Sequence, residues 1–136
     1  MSEHALAPVT GTTWPPPGGR ARLYAADAVL VVALQGDVDL AATLSVRPWL
    51  DSVAALRAPG YVVDLRAVTF IDSTGLSMVL GLRRRVTEAR VPFGLVCATR
   101  MRRLLVAHGT LELLRPSTTL DEALADVTRT GENRHA

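Results

Sequence analysis

Between Arg20 and Val127, apolar runs of strand length and helix length take turns, and nothing else in the chain restricts its fold as much. Val29 to Leu34 and Tyr61-Val62-Val63-Asp64-Leu65 are apolar on successive residues, so each is a strand with both faces covered. Arg20 to Tyr24 is a weaker first strand, joined to the next by a tight hairpin at Ala26-Asp27, and Gly36-Asp37 marks where the second strand exits. A helix lies within Leu40 to Leu56, carrying Leu44, Leu50, Val53 and Leu56. Pro48 interrupts it: either the helix starts near Ser45 with Pro48 in its first turn, the preferred reading, or it starts earlier and is kinked. Pro59-Gly60 ends this helix.

After the Tyr61–Leu65 strand, a short connection through Phe70 and Ile71 reaches Asp72-Ser73-Thr74-Gly75 and a helix to about Arg90. Pro92 to Cys97 is a further strand. Met101 to Ala107 is helical and stops at His108-Gly109, where glycine suits a left-handed cap. Leu111 to Leu114 reads as a last short strand. Thr119-Leu120-Asp121-Glu122 has capping-box spacing and opens a terminal helix through Val127. The expectation is an α/β fold: a mixed β-sheet with an initial antiparallel hairpin, then strands alternating with helices, covered by about four helices.

The 136 residues make one domain with room for a core. Its bounds are residues 20–129, with a Pro/Gly-rich leader at 1–19 and a flexible tail at 130–136. Thr12-Thr13-Trp14-Pro15-Pro16-Pro17-Gly18-Gly19 favours extended or disordered backbone, although a proline-rich ligand for a partner is the other use of such a run. The net charge of +2 supplies no field to draw the chain to nucleic acid or an acidic membrane. All 15 Lys+Arg residues are Arg, which excludes a P-loop, a Ser-Lys hydrolase and a lysine Schiff base. Cys97 is the one cysteine and lies in an apolar run, so it reads as a core thiol and rules out disulfide and cysteine-metal chemistry within the chain. With no signal-peptide pattern and no stretch of eighteen apolar residues, the chain reads as soluble and cytoplasmic. No cofactor is expected.

Asp72-Ser73-Thr74-Gly75 carries the functional interest. Asp, Ser and Thr at the end of a strand cap the following helix, and Asp72 suits the positive end of its dipole. Any α/β protein uses such caps, so a structural role alone is one reading. The helix beyond gives a second. At 100° per residue Leu76, Val79, Leu80, Leu82 and Val86 form an apolar stripe, with Arg83 a misfit inside it. Ser77, Met78 and Gly81 fall on the other side beside Thr74, a flat and adaptable surface suited to docking a protein. A hydroxyl at a helix N-terminus also accepts a phosphate with little refolding, and that mark adds about −1.5 to −2 charges.

The run Val63-Asp64-Leu65-Arg66-Ala67-Val68-Thr69-Phe70-Ile71-Asp72-Ser73-Thr74-Gly75-Leu76 resembles the signature of the STAS family, named for sulfate transporters and anti-sigma factor antagonists. Gly36-Asp37-Val38-Asp39-Leu40 resembles an earlier motif of that family, and the resemblance spans about residues 20 to 128. It implies a STAS-like sheet. It also implies that Ser73, directly after the motif Asp72, is the phosphorylation site of an anti-sigma factor that is itself a serine kinase. A metal-dependent serine phosphatase reverses the mark, and the unphosphorylated protein binds the anti-sigma factor so that a sigma factor is freed. Asp37 and Asp39 match the acidic motif near the switch serine. Partner binding is expected at Asp37, Asp39, Asp72, Thr74, Gly75, Ser77, Met78 and Gly81. Pro48 and the leader depart from the family pattern.

Two rivals remain open. An enzyme built on Asp37, Asp39, Asp72 and Ser73 lacks a G-x-S-x-G elbow, has no lysine for a phospho-aspartate receiver, and has its histidines (His4, His108, His135) in tails and at a helix end. A STAS subunit of another assembly, such as a lipid-transport complex, a transporter partner or a stress-signalling scaffold, would share the fold and differ in partner.

Overall fold

A computed structural model describes residues 7–8 and 20–135. Strands β1 (Ala7–Pro8), β2 (Ala21–Ala26), β3 (Val29–Val38), β4 (Tyr61–Ile71) and β5 (Phe93–Val96) form one sheet in that spatial order. The pairs β1/β2 and β2/β3 are antiparallel, while β3/β4 and β4/β5 are parallel. Helices α1 (Leu40–Ala54), α2 (Ser73–Glu88), α3 (Thr99–Ala107), α4 (Leu111–Leu114) and α5 (Leu120–His135) complete the fold.

The apolar runs are explained by a core on each side of the sheet. Leu30, Val32, Tyr61, Val63, Leu65 and Leu95 face a large core shared with α1, α2, α3 and α4. Val29, Val31, Val62 and Val96 face the other way, against Ala123, Leu124 and Val127 of α5. Alternate residues of each strand thus enter different cores, as the two-residue pleat requires. Cys97 is fully buried in the larger core, and burial pushes its thiol pKa up.

Several expectations are corrected. The hairpin turn is Asp27-Ala28, one residue later than expected, with both residues at positive φ (52° and 70°). Such a two-residue turn matches the strand twist. The second strand does not exit at Gly36-Asp37. It runs on to Val38, with a register shift between those two residues and Gly36 at φ +75°; glycine takes this conformation without a Cβ clash. Likewise β4 continues through Phe70 and Ile71 as strand.

The late start of the first helix is also wrong. Asp39 caps α1, its carboxylate accepting from the Ala42 N–H at 3.0 Å, and Pro48 lies inside. The bond that Pro48 cannot donate would have gone to the carbonyl of Leu44, an exposed residue where water can replace it. Leu111–Leu114 is one helical turn, not a strand, closed by Arg115 at φ 46°; the described residues therefore form five helices, where about four were expected. The terminal helix passes the expected tail boundary at Thr130 and reaches His135, since no proline stops it. Of the leader, Ala7–Pro8 pairs with β2; the Thr12–Gly19 run lies outside the described residues.

Candidate functional site

The parallel pairing of β3 with β4 builds the site. Val38 and Ile71 are in register at the C-terminal ends of these strands, and the Asp72 N–H bonds to the Val38 carbonyl at 3.3 Å. Each chain then turns directly into a helix, Asp39 capping α1 and Asp72 capping α2. Two helix N-termini therefore lie side by side, each concentrating free N–H groups and positive potential.

Asp72 ties them together. It accepts the Thr74 hydroxyl at 2.5 Å and the Gly75 N–H at 2.9 Å. The Thr74 hydroxyl foremost, then the N–H groups of Gly75, Thr74 and Leu40, hold its carboxyl below the usual carboxylate range. Since Leu40 begins α1, one carboxylate serves both helices. Asp37 sits on the β3 irregularity and accepts the Thr69 hydroxyl at 2.7 Å, while Arg20 donates to its backbone carbonyl at 3.3 Å.

Ser73 is the first residue of α2 and is exposed. Among the described residues no hydrogen bond occupies its hydroxyl, in contrast to Thr74. Ser77 is exposed one turn further on, and a Cβ at Gly81 would meet open space.

Two other expected docking residues are not on the surface. Met78 is only 5% exposed and belongs to the large core. The helix buries more than one stripe, because α1 packs beside it on the same face of the sheet. Between them runs a groove of about 300 Å³, with Met78 among its lining residues and the Arg85–Asp51 ion pair (2.9 Å) across it. Gly75 is buried too. A Cβ there would lie 2.3 Å from the Val38 carbonyl oxygen and 2.7 Å from Val38 Cγ1. Glycine is thus what lets α2 start against the end of β3. Gly75→Ala is expected to lower stability by about 2–3 kcal/mol, since a backbone carbonyl cannot be repacked as a side chain can. Chemical denaturation checks this, and a change under about 0.5 kcal/mol would show that the helix shifts freely.

The structure also shows what sequence reasoning missed. Leu40 (55% exposed) and Leu44 (67%) lie one turn apart on α1, and Phe70 (47%), in register with Asp37, is exposed at the same end of the sheet. Large exposed apolar side chains of this kind are the usual material of protein-docking surfaces. Phe70 escaped because the strand was ended at Leu65 and because the burial of β4 loses its two-residue period beyond that point, Val68 and Ile71 both entering the large core. Leu40 was hidden by the late helix start, while Leu44, read as part of the helix's apolar side, is open instead.

Sheet order and the pair of capped helices define a mixed α/β domain. The STAS domain profile matches residues 20–123, and the chain belongs to the STAS domain family. An anti-sigma factor antagonist from Mycobacterium paratuberculosis superposes with a TM-score of 0.70 at 26% identity, covering 79% of this chain and 92% of that one. The Bacillus cell fate determinant SpoIIAA in its phosphorylated form gives 0.59 at 21% identity, over 79% and 98% of the two chains. A sulfate transporter family protein from Wolinella succinogenes gives 0.64 at 21% identity, over 79% and 91%. No curated protein sequence matches. Among the described residues no helix is long and apolar enough to cross a membrane.

Proposed function

We propose that this protein is a cytoplasmic anti-sigma factor antagonist, a binding switch without catalysis of its own. Its unphosphorylated form binds an anti-sigma factor that is a serine kinase, and the sigma factor is released. Phosphorylation of Ser73 turns binding off, and a metal-dependent serine phosphatase restores it. The observation that carries this reading is the exposed, unbonded Ser73 hydroxyl at the start of α2, beside the open Leu40, Leu44 and Phe70. Likeness at 26% identity to an anti-sigma factor antagonist supports it. In this reading Asp37, Asp39, Asp72, Thr74, Ser77 and Gly81 surround the docking area, while Gly75 and Met78 shape it from beneath.

Incubation with the cognate kinase and ATP is expected to place one phosphate on Ser73, located by mass spectrometry, and Ser73→Ala is expected to abolish labelling. Label persisting at Thr74 or elsewhere in Ser73→Ala would overturn the assignment.

A further inference from the structure

β5 is the last strand of the sheet, and its backbone groups alternate in direction. The Tyr61 N–H bonds to the Pro92 carbonyl at 3.0 Å, so Pro92, Gly94 and Val96 face β4 while Phe93, Leu95 and Cys97 face outward. On that outer side stands Ser117, in a parallel bridge to Val96. It donates to the Leu95 carbonyl at 2.8 Å and accepts from the Cys97 N–H at 3.1 Å. This is the first rung of a sixth parallel strand. The chain leaves that line at once on the N-terminal side, through Pro116 and the left-handed Arg115. The N–H and carbonyl of Phe93, a half-buried residue, consequently have no backbone partner among the described residues, whereas Leu95 is only 1% exposed and closed to a partner.

A groove of about 660 Å³ runs along this edge, lined by Arg83 and Thr87 of α2 and by Asp126 and Arg129 of α5. Arg83, Arg115 and Arg129 all line it, and Asp126, the one acid among the lining residues, is already paired with Arg129. Arg83 and Arg115 have no ion-pair partner among the described residues. The arginine that breaks the apolar stripe of α2 thus lines a groove on the open edge of the sheet.

We propose that this edge is a second binding site, which takes an extended acidic segment of a partner protein as a short sixth strand in line with Ser117. The main-chain N–H and carbonyl of Phe93 supply one rung of strand addition, as in other edge-binding domains. The guanidinium groups select carboxylate side chains, with which they form forked, charge-assisted hydrogen bonds. Little more than one rung is open, so binding is weak and depends on the arginines. This site is independent of Ser73.

The test titrates a fluorescein-labelled hexapeptide of alternating Val and Glu, and its Val–Lys counterpart, into the full chain by anisotropy. Amide spectra of labelled protein locate the contact. The acidic peptide is expected to bind at least about tenfold tighter than the basic one, as opposite charges across a small interface allow. It should shift the Phe93 amide and leave Ser73 unmoved. Arg83→Gln combined with Arg115→Asn, which tolerates the left-handed backbone, should remove most of that preference with the far-UV spectrum unchanged. Equal binding of both peptides, no binding, shifts at the Ser73 end, or an unaltered double variant would each overturn the proposal. So would self-association of the double variant in sedimentation, which would make the arginines guards of an edge strand.

Discussion

Met78→Asp is expected to unfold or nearly unfold the domain, whereas Ser77→Asp next to it should be almost silent. Met78 is 5% exposed and part of the large core, while Ser77 is exposed. Truncating a buried methionine costs about 2–5 kcal/mol. A carboxylate left in its place adds desolvation, which Arg84 and Arg85 at the groove edge offset only in part because aspartate is short. The sum reaches at least about 4 kcal/mol, a large share of the stability of a domain this size. Ser77→Asp should stay within about 0.5 kcal/mol. Thermal unfolding followed by circular dichroism separates the two variants. Equal melting temperatures would mean that α2 does not bury Met78 against its neighbours.

Phosphorylation of Ser73 is expected to weaken anti-sigma factor binding by two to three powers of ten without unfolding the protein. If the phosphate lies about 8 Å from one negative group of the bound partner, each unit-charge pair costs roughly 2 kcal/mol at an effective dielectric near 20. A charge near −2 doubles that to about 4 kcal/mol before screening, and every 1.4 kcal/mol is about tenfold in affinity. The fold should persist, because the phosphate meets two adjacent helix N-termini. Ser73→Asp carries one charge and should give about half the free-energy effect. Calorimetry on unmodified, Ser73→Asp and phosphorylated protein, with circular dichroism as folding control, measures the series. Equal affinities across the three would reduce Ser73 to a helix-start residue.

The sheet was legible in the sequence because strands buried on both faces leave continuous apolar runs, as Val29–Leu34 and Tyr61–Leu65 do. So was the capped serine, since Asp72 must satisfy N–H groups wherever a helix follows a strand. What stayed hidden depended on neighbours. Leu111–Leu114 is too short for periodicity to separate strand from turn of helix. Met78 lies off the main stripe of α2, and only the position of α1 shows that a second side of that helix is covered. The cap at Asp39 was missed because Pro48 set the expected helix start, and the exposure of Leu44 that makes an internal proline tolerable is a tertiary fact. The same misplacement concealed Leu40 at the start of α1.

The division of the core sets how the molecule comes apart. Among the described residues four helices hold one face of the sheet, and α5 holds the other. Detaching that single C-terminal segment would bare Val29, Val31, Val62 and Val96 together and leave the opposite layer assembled. Such a species keeps its sheet and gains a sticky flat surface, the usual precursor of association between chains. The packing of Ala123, Leu124 and Val127 against these valines is therefore what keeps that surface covered.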